Sequence, residues 1–218
     1  MSSKKTIAIV DYGVGNLGSL IKAFKQSAAG LDVDVILTEE STIIQQAHGL
    51  VLPGQGAFKT GMGGLHKRGL VDIIQQKARE DVPMLGICLG PQLFFTESEE
   101  FGLTGGLNIL PGRVVHFPPL AEHEKVPHMG WNAITPAVEG QWQNSIFETI
   151  PPGASMYFVH SYIMVPGNKE HIFATTQYGG HTFCSVVRKG NIYGCQFHPE
   201  KSGPTGLRII KSYIDSLM

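Results

Sequence analysis

Thr6–Val10 is a short apolar, β-branched run of strand length, and the period of the pattern changes directly after it. Across Asn16–Ala29, Leu17, Leu20, Ile21 and Phe24 recur near helical spacing, which predicts a helix. Val33–Leu37 and Gly49–Leu52 read as the second and third strands, the third closed by Pro53-Gly54-Gln55-Gly56. Leu70–Glu80 predicts an amphipathic helix with Val71, Ile74 and Ala78 on one face. Pro83–Ile87 is the next strand, and a helix is expected over Pro91–Thr96. Strands that alternate with helices in this way imply a parallel sheet with right-handed crossovers. Beyond Gly105 the pattern turns to short strands punctuated by Pro and Gly, at 112–116, 131–134, 154–159, 171–176, 184–189 and 191–196. These predict an antiparallel extension, and Thr205–Leu217 closes the chain as a helix. The expected class is α/β: a mostly parallel central sheet flanked by helices, with an antiparallel extension in the C-terminal half. No repeat or linker divides residues 1–218, so one domain is expected.

Composition narrows the function classes. A hydrophobic fraction of 42% in 218 residues supports a sizeable core. A formal net charge of −1 gives no electrostatic basis for binding nucleic acid or a membrane surface. The three cysteines, Cys88, Cys184 and Cys195, do not make a disulfide framework and favour a reducing, cytoplasmic setting. No apolar run approaches the roughly 20 residues of a membrane span, and Met1–Lys5 carries no apolar leader region.

The chemistry concentrates in two segments. Gly86-Ile87-Cys88-Leu89-Gly90 ends an apolar strand and opens a helix, which is the thiol form of a nucleophile elbow. Gln196-Phe197-His198-Pro199-Glu200 supplies an imidazole and a carboxylate two residues apart, on one side of an extended strand end. Cys88, His198 and Glu200 fill the roles of nucleophile, general base and orienter of the base. Cys184 and Cys195 read as small buried hydrophobes. On local sequence alone Pro53–Gly56 reads first as a plain Gly/Pro turn. Its place at a parallel strand end, facing the crevice where ligands bind, gives it a second reading. There Gln55 and Gly56 would contribute a backbone N–H to an oxyanion site, with the N–H of Leu89 as the second donor. Gly13-Val14-Gly15-Asn16-Leu17-Gly18 formally matches a dinucleotide fingerprint, with Glu39 or Glu40 as the acidic partner. A reducing cofactor has no role beside a Cys-His-Glu set, so no cofactor and no metal are expected. Tyr157-Phe158-Val159-His160-Ser161-Tyr162 is an aromatic strand end in which core packing accounts for some positions.

These segments resemble the class I (triad) glutamine amidotransferases and, within them, the glutaminase subunits of imidazole glycerol phosphate synthases. The resemblance runs nearly end to end, through Asp11-Tyr12-Gly13, Leu52-Pro53-Gly54, the Cys88 elbow with Gln92, Pro127-His128-Met129-Gly130-Trp131-Asn132, the Tyr157–Tyr162 segment and Gln196–Gly203. It implies a flavodoxin-like core and glutamine hydrolysis through a thioester on Cys88. Gln92, Tyr157, His160, Ser161 and Tyr162 would bind the substrate L-glutamine. Ammonia would pass to a cyclase subunit with a (β/α)8 barrel, in a heterodimer serving histidine biosynthesis, and Asn16, Tyr157 and Lys201 would lie at that interface. The chain departs from the family pattern at Pro91 (for Met), at Gln55 (for a small aliphatic residue) and at Gly203 (often Gln). Two alternatives share the motifs: a paralogous subunit serving another synthase, such as one forming a surface-sugar amidine, and a stand-alone γ-glutamyl hydrolase. Dependence on a partner separates the last from the others.

Overall fold

The computed structural model describes residues 4–15, 17–121 and 123–218. Its strands form one connected sheet. The first five positions are β2 (Val33–Thr38), β1 (Lys5–Val10), β3 (Gly49–Leu52), β4 (Met84–Ile87) and β13 (Ile192–Cys195), all parallel. This is the flavodoxin-like order, in which ligands bind at the carboxyl ends of the strands. Beyond β13 the sheet turns antiparallel through β12 (His181–Lys189), β10 (Tyr162–Pro166) and β7 (Leu110–His116). At its far edge lie β5 (Phe95–Ser98), parallel to β7, and β6 (Thr104–Gly105). A branch runs from β12 through β11 (Ile172–Tyr178) and β8 (His128–Pro136) to β9 (Ala154–His160). Among the described residues no helix is long and apolar enough to cross a membrane.

Alternation along the strands sorts the core into two layers. Ile7, Ile9, Val51, Leu85 and Ile87 face α1 (Gly18–Ser27) and α6 (Gly203–Asp215), through Leu20, Phe24, Ile209, Ile210 and Tyr213. Ala8, Val10, Leu50, Leu52 and Met84 face the opposite layer. That layer holds α2 (Ser41–Gln46), α3 (Phe58–Lys67), α4 (Val71–Arg79) and α5 (Leu89–Leu93), with Ile44, Phe58, Leu65, Ile74 and Leu93 buried in it. Burial on both faces is why these strands read as continuous apolar runs.

Several elements depart from the sequence pattern, α2 and β6 among them, for which it gave no expectation. The helix expected over Pro91–Thr96 is the single turn α5, and Phe95–Ser98 is a strand, in keeping with the β preference of the aromatic and β-branched residues Phe94-Phe95-Thr96. The segment Phe58–Lys67 is helical despite three glycines. A Cβ at Gly64 would stand 2.1 Å from the Tyr12 carbonyl oxygen, so glycine lets α3 close onto the end of β1. Strand β10 follows Ser161 at once and extends the aromatic segment into the sheet.

Candidate active site

β3, β4 and β13 are neighbours, and their carboxyl ends deliver Gly54–Gly56, Cys88 and His198 to one edge of the sheet. Cys88 sits between β4 and α5 at φ 58° and ψ −94°, a conformation L-residues rarely adopt and one kept for functional turns. The elbow is possible because Gly90 approaches β3 closely: a Cβ there would lie 1.8 Å from the Leu52 carbonyl oxygen. Pro91 occupies the first turn of α5, where its missing N–H has no intrahelical partner to lose.

His198 and Glu200 are joined by a 2.8 Å contact between Nδ1 and Oε1, with both side chains almost wholly buried. The pairing is the expected one, but its geometry is not a strand end. Glu200 belongs to a 3₁₀ turn, Pro199–Lys201, and the turn brings its carboxylate back to the ring. The backbone of His198 is held on two sides. Its N–H donates to the Tyr157 carbonyl at 2.9 Å, and its carbonyl accepts the Ser202 hydroxyl at 2.6 Å. Ser202 also accepts the Tyr157 N–H at 3.0 Å, a clamp that no local pattern in the sequence announces. Burial disfavours the charged imidazole, but the side-chain contacts with Cys88 and Glu200 outweigh it and raise the His198 pKa to about 9. These contacts equip the ring to take and hold the proton of the thiol. Cys184 and Cys195 are buried, and desolvation lifts both thiols, that of Cys184 to about 12. Neither has the surroundings of a nucleophile.

A cavity of about 410 Å³ opens beside Cys88. Gln92, Tyr157, His160, Ser161 and Tyr162 all line it, together with Gln55, Gly56, Leu89 and Lys201. Lys201, expected only at an interface, thus stands at the cavity as well. His198 and Glu200 do not line it; they lie behind Cys88, against Pro53–Gln55. Glu100 lines the cavity and was not anticipated. It is fixed by the Phe58 N–H at 2.6 Å, and its position in an acidic loop gives no local signal. Asn16 lies outside the described residues.

The oxyanion donors are not assembled as expected. The Leu89 N–H donates to the Gly54 carbonyl at 3.4 Å, so the donor is engaged by the very segment expected to complement it. Gln55 N lies 3.1 Å from the point where a Gly15 side chain would begin. The Pro53 carbonyl is held by the Tyr12 hydroxyl, so any rearrangement falls on residues 54–56. Gly13 is not open to a phosphate either. The space beside Gly13 is filled by the Arg68 guanidinium, which is bonded at 2.6 Å to Glu39, one of the two acids a dinucleotide would need.

A buried Cys-His-Glu set beside a cavity of amino-acid size is equipped for acyl transfer from an amide. The Glutamine amidotransferase class-I family model matches residues 8–215. Imidazole glycerol phosphate synthase subunit HisH of Syntrophotalea carbinolica is 47% identical over 213 residues, 96% of this chain and 99% of that protein. The subunit of the same name from Moorella thermoacetica is 44% identical over 209 residues, 96% and 94% of the two chains. Among solved structures, PurLQS from Thermotoga maritima has a TM-score of 0.69 at 16% identity, covering 99% of this chain and 100% of that one, a likeness of fold. The chain belongs to the class-I glutamine amidotransferase family and, within it, to the group of imidazole glycerol phosphate synthase HisH subunits.

Proposed function

We propose that this chain hydrolyses L-glutamine to glutamate and ammonia. It channels the ammonia to a cyclase subunit that forms imidazole glycerol phosphate and the aminoimidazole carboxamide ribotide of histidine biosynthesis. The observation that carries the reading is Cys88, on its strained elbow, between the His198–Glu200 pair and the cavity. His198 takes the thiol proton of Cys88 as Sγ attacks the carboxamide carbon. His198 gives its proton to the departing nitrogen, the C–N bond breaks, and a glutamyl thioester remains. Water then gives a proton to His198 and attacks the thioester, releasing glutamate and restoring the thiol. Glu200 keeps the ring in register throughout. Glu100 supplies the carboxylate that an α-ammonium group requires, and Gln92 with Ser161 and Tyr162 surrounds the rest of the substrate.

The test is chemical. A glutamine-mimicking electrophile is expected to modify Cys88 stoichiometrically and to spare Cys184 and Cys195, read by peptide mass spectrometry. Labelling of either buried thiol in preference to Cys88 would overturn the assignment.

The partner is a cyclase subunit with a (β/α)8 barrel, and the location is the cytoplasm. Exposed Met129 and Trp131 on β8 support a docking face at the cavity, because the Trp131 ring meets that of Tyr157 edge-on at 6.0 Å. Lys201 shares that rim. It pairs with a carboxylate of the barrel mouth in a contact that loses its water on docking. Truncating one partner of such a pair costs roughly 2–5 kcal/mol. Lys201→Ala is therefore expected to weaken the complex, or to release glutamate in excess of cyclase product, with the fold intact. An unchanged dissociation constant together with an unchanged glutamate-to-product ratio would place the interface elsewhere.

A further inference from the structure

Two histidines that take no part in the thiol chemistry face each other across β8 and β9. His128 and His160 are register partners, and His128 Nδ1 lies 3.1 Å from His160 Nε2. His160 Nδ1 is 2.9 Å from the Tyr162 carbonyl, which can only accept. Nδ1 of His160 therefore carries the proton and Nε2 is bare. His128 Nδ1 must then donate to it, which leaves His128 Nε2 as the acceptor for the Asn132 side-chain amide at 3.4 Å. Burial lowers the pKa of both rings, to about 4 for His128 and about 3 for His160, so each holds a single proton at neutral pH. The direction of every bond in the row is thus determined.

The row continues into the cavity. The Tyr162 carbonyl also accepts Gln92 Nε2 at 3.2 Å, and the second hydrogen of that nitrogen goes to Gln196 Oε1 at 3.0 Å. Gln196 is oriented in turn by donating Nε2 to the Cys88 carbonyl at 3.4 Å. Both hydrogens of the Gln92 amide are engaged, so the polar atom it has left for a ligand is Oε1, an acceptor.

We propose that His128 and His160 are positioning residues for glutamine hydrolysis. Their one-way hydrogen-bond row, begun at Asn132, anchors the Tyr162 carbonyl and through it sets the Gln92 amide so that its oxygen meets an N–H of the substrate. The inference rests on the glutaminase reading, but its first test does not. In the wild-type chain, nitrogen-15 NMR of the imidazoles is expected to show the Nδ1–H tautomer for both rings. An Nε2–H tautomer at either ring would overturn the proposal whatever the enzyme does.

The second test is kinetic, in the assembled synthase. His160→Leu removes the donor, and His160→Asn restores one near the Nδ1 position. Losing a hydrogen bond of this kind is expected to lower kcat/KM for glutamine on the order of tenfold, mainly through KM. His160→Asn is expected to recover most of that loss. Equal loss in the two variants, or none in His160→Leu, would overturn the proposal. An inactive wild-type complex with both Nδ1–H tautomers present would instead refute the glutaminase assignment and leave the hydrogen-bond row standing.

Discussion

Cys88→Ala is expected to abolish ammonia production from glutamine, a loss on the order of 10⁴-fold or more, because members of a triad act as a unit. Without the thiol no thioester forms, and water would have to attack an unactivated amide directly. Alanine occupies the same φ 58° backbone no worse than cysteine does, and Cys88 borders a cavity, so the fold is expected to survive, with an unaltered circular dichroism spectrum. His198→Ala is expected to lose several orders of magnitude as well, since its proton leaves with the ammonia. Glu200→Gln is expected to lose less, because its part is to hold Nδ1 at 2.8 Å. Glutamate release and ammonia release, followed together, check all three. Full activity in Cys88→Ala would sink the mechanism.

The second large effect concerns the partner. With the Leu89 N–H donated to the Gly54 carbonyl, the described arrangement offers a developing oxyanion less than it needs. Turning the Gly54–Gln55 peptide would withdraw that carbonyl, free the Leu89 N–H and present the Gln55 N–H beside it. The Tyr12–Pro53 bond anchors the chain just before this peptide, and Gly56, at φ 116°, provides the freedom just after it. One oxyanion donor is worth on the order of 10²–10³ in rate. The isolated chain is therefore expected to be a poor glutaminase, and partner together with the partner's substrate should stimulate it by at least that factor. Steady-state glutamate release with and without the partner measures this directly. Rapid hydrolysis by the chain alone would refute the switch and favour a stand-alone hydrolase.

What was legible in the sequence is what covalent neighbours determine. Cys88 between Gly86 and Gly90, and His198 two residues before Glu200, announce their roles because elbow and turn are local geometry. The parallel strands were legible because burial on both faces leaves unbroken apolar runs. The helix α3 was not, since its glycines are explained by the end of β1, far away in the chain. Glu100 was hidden in an acidic loop for a similar reason: its place is set by the Phe58 N–H. The His128–His160 contact depends on the register of β8 against β9, which no spacing within either strand encodes. The orientation of the Gly54–Gln55 peptide belongs to the backbone alone, so no side chain could report it.

The order of the sheet also constrains how the molecule is made. β4, which leads into Cys88, lies between β3 and β13, and β13 comes far later in the sequence. On a ribosome, β4 therefore emerges long before the strand that closes its second side. Until then it is a wholly buried-type apolar strand with one open edge, the kind of surface that recruits foreign chains. The same delay keeps the thiol without its imidazole, so the growing chain has no assembled site until β13 and His198 have emerged. Long-range pairing of this kind also slows folding, because loop closure precedes the contacts that reward it. The closed edge and the assembled site thus arrive together, with β13.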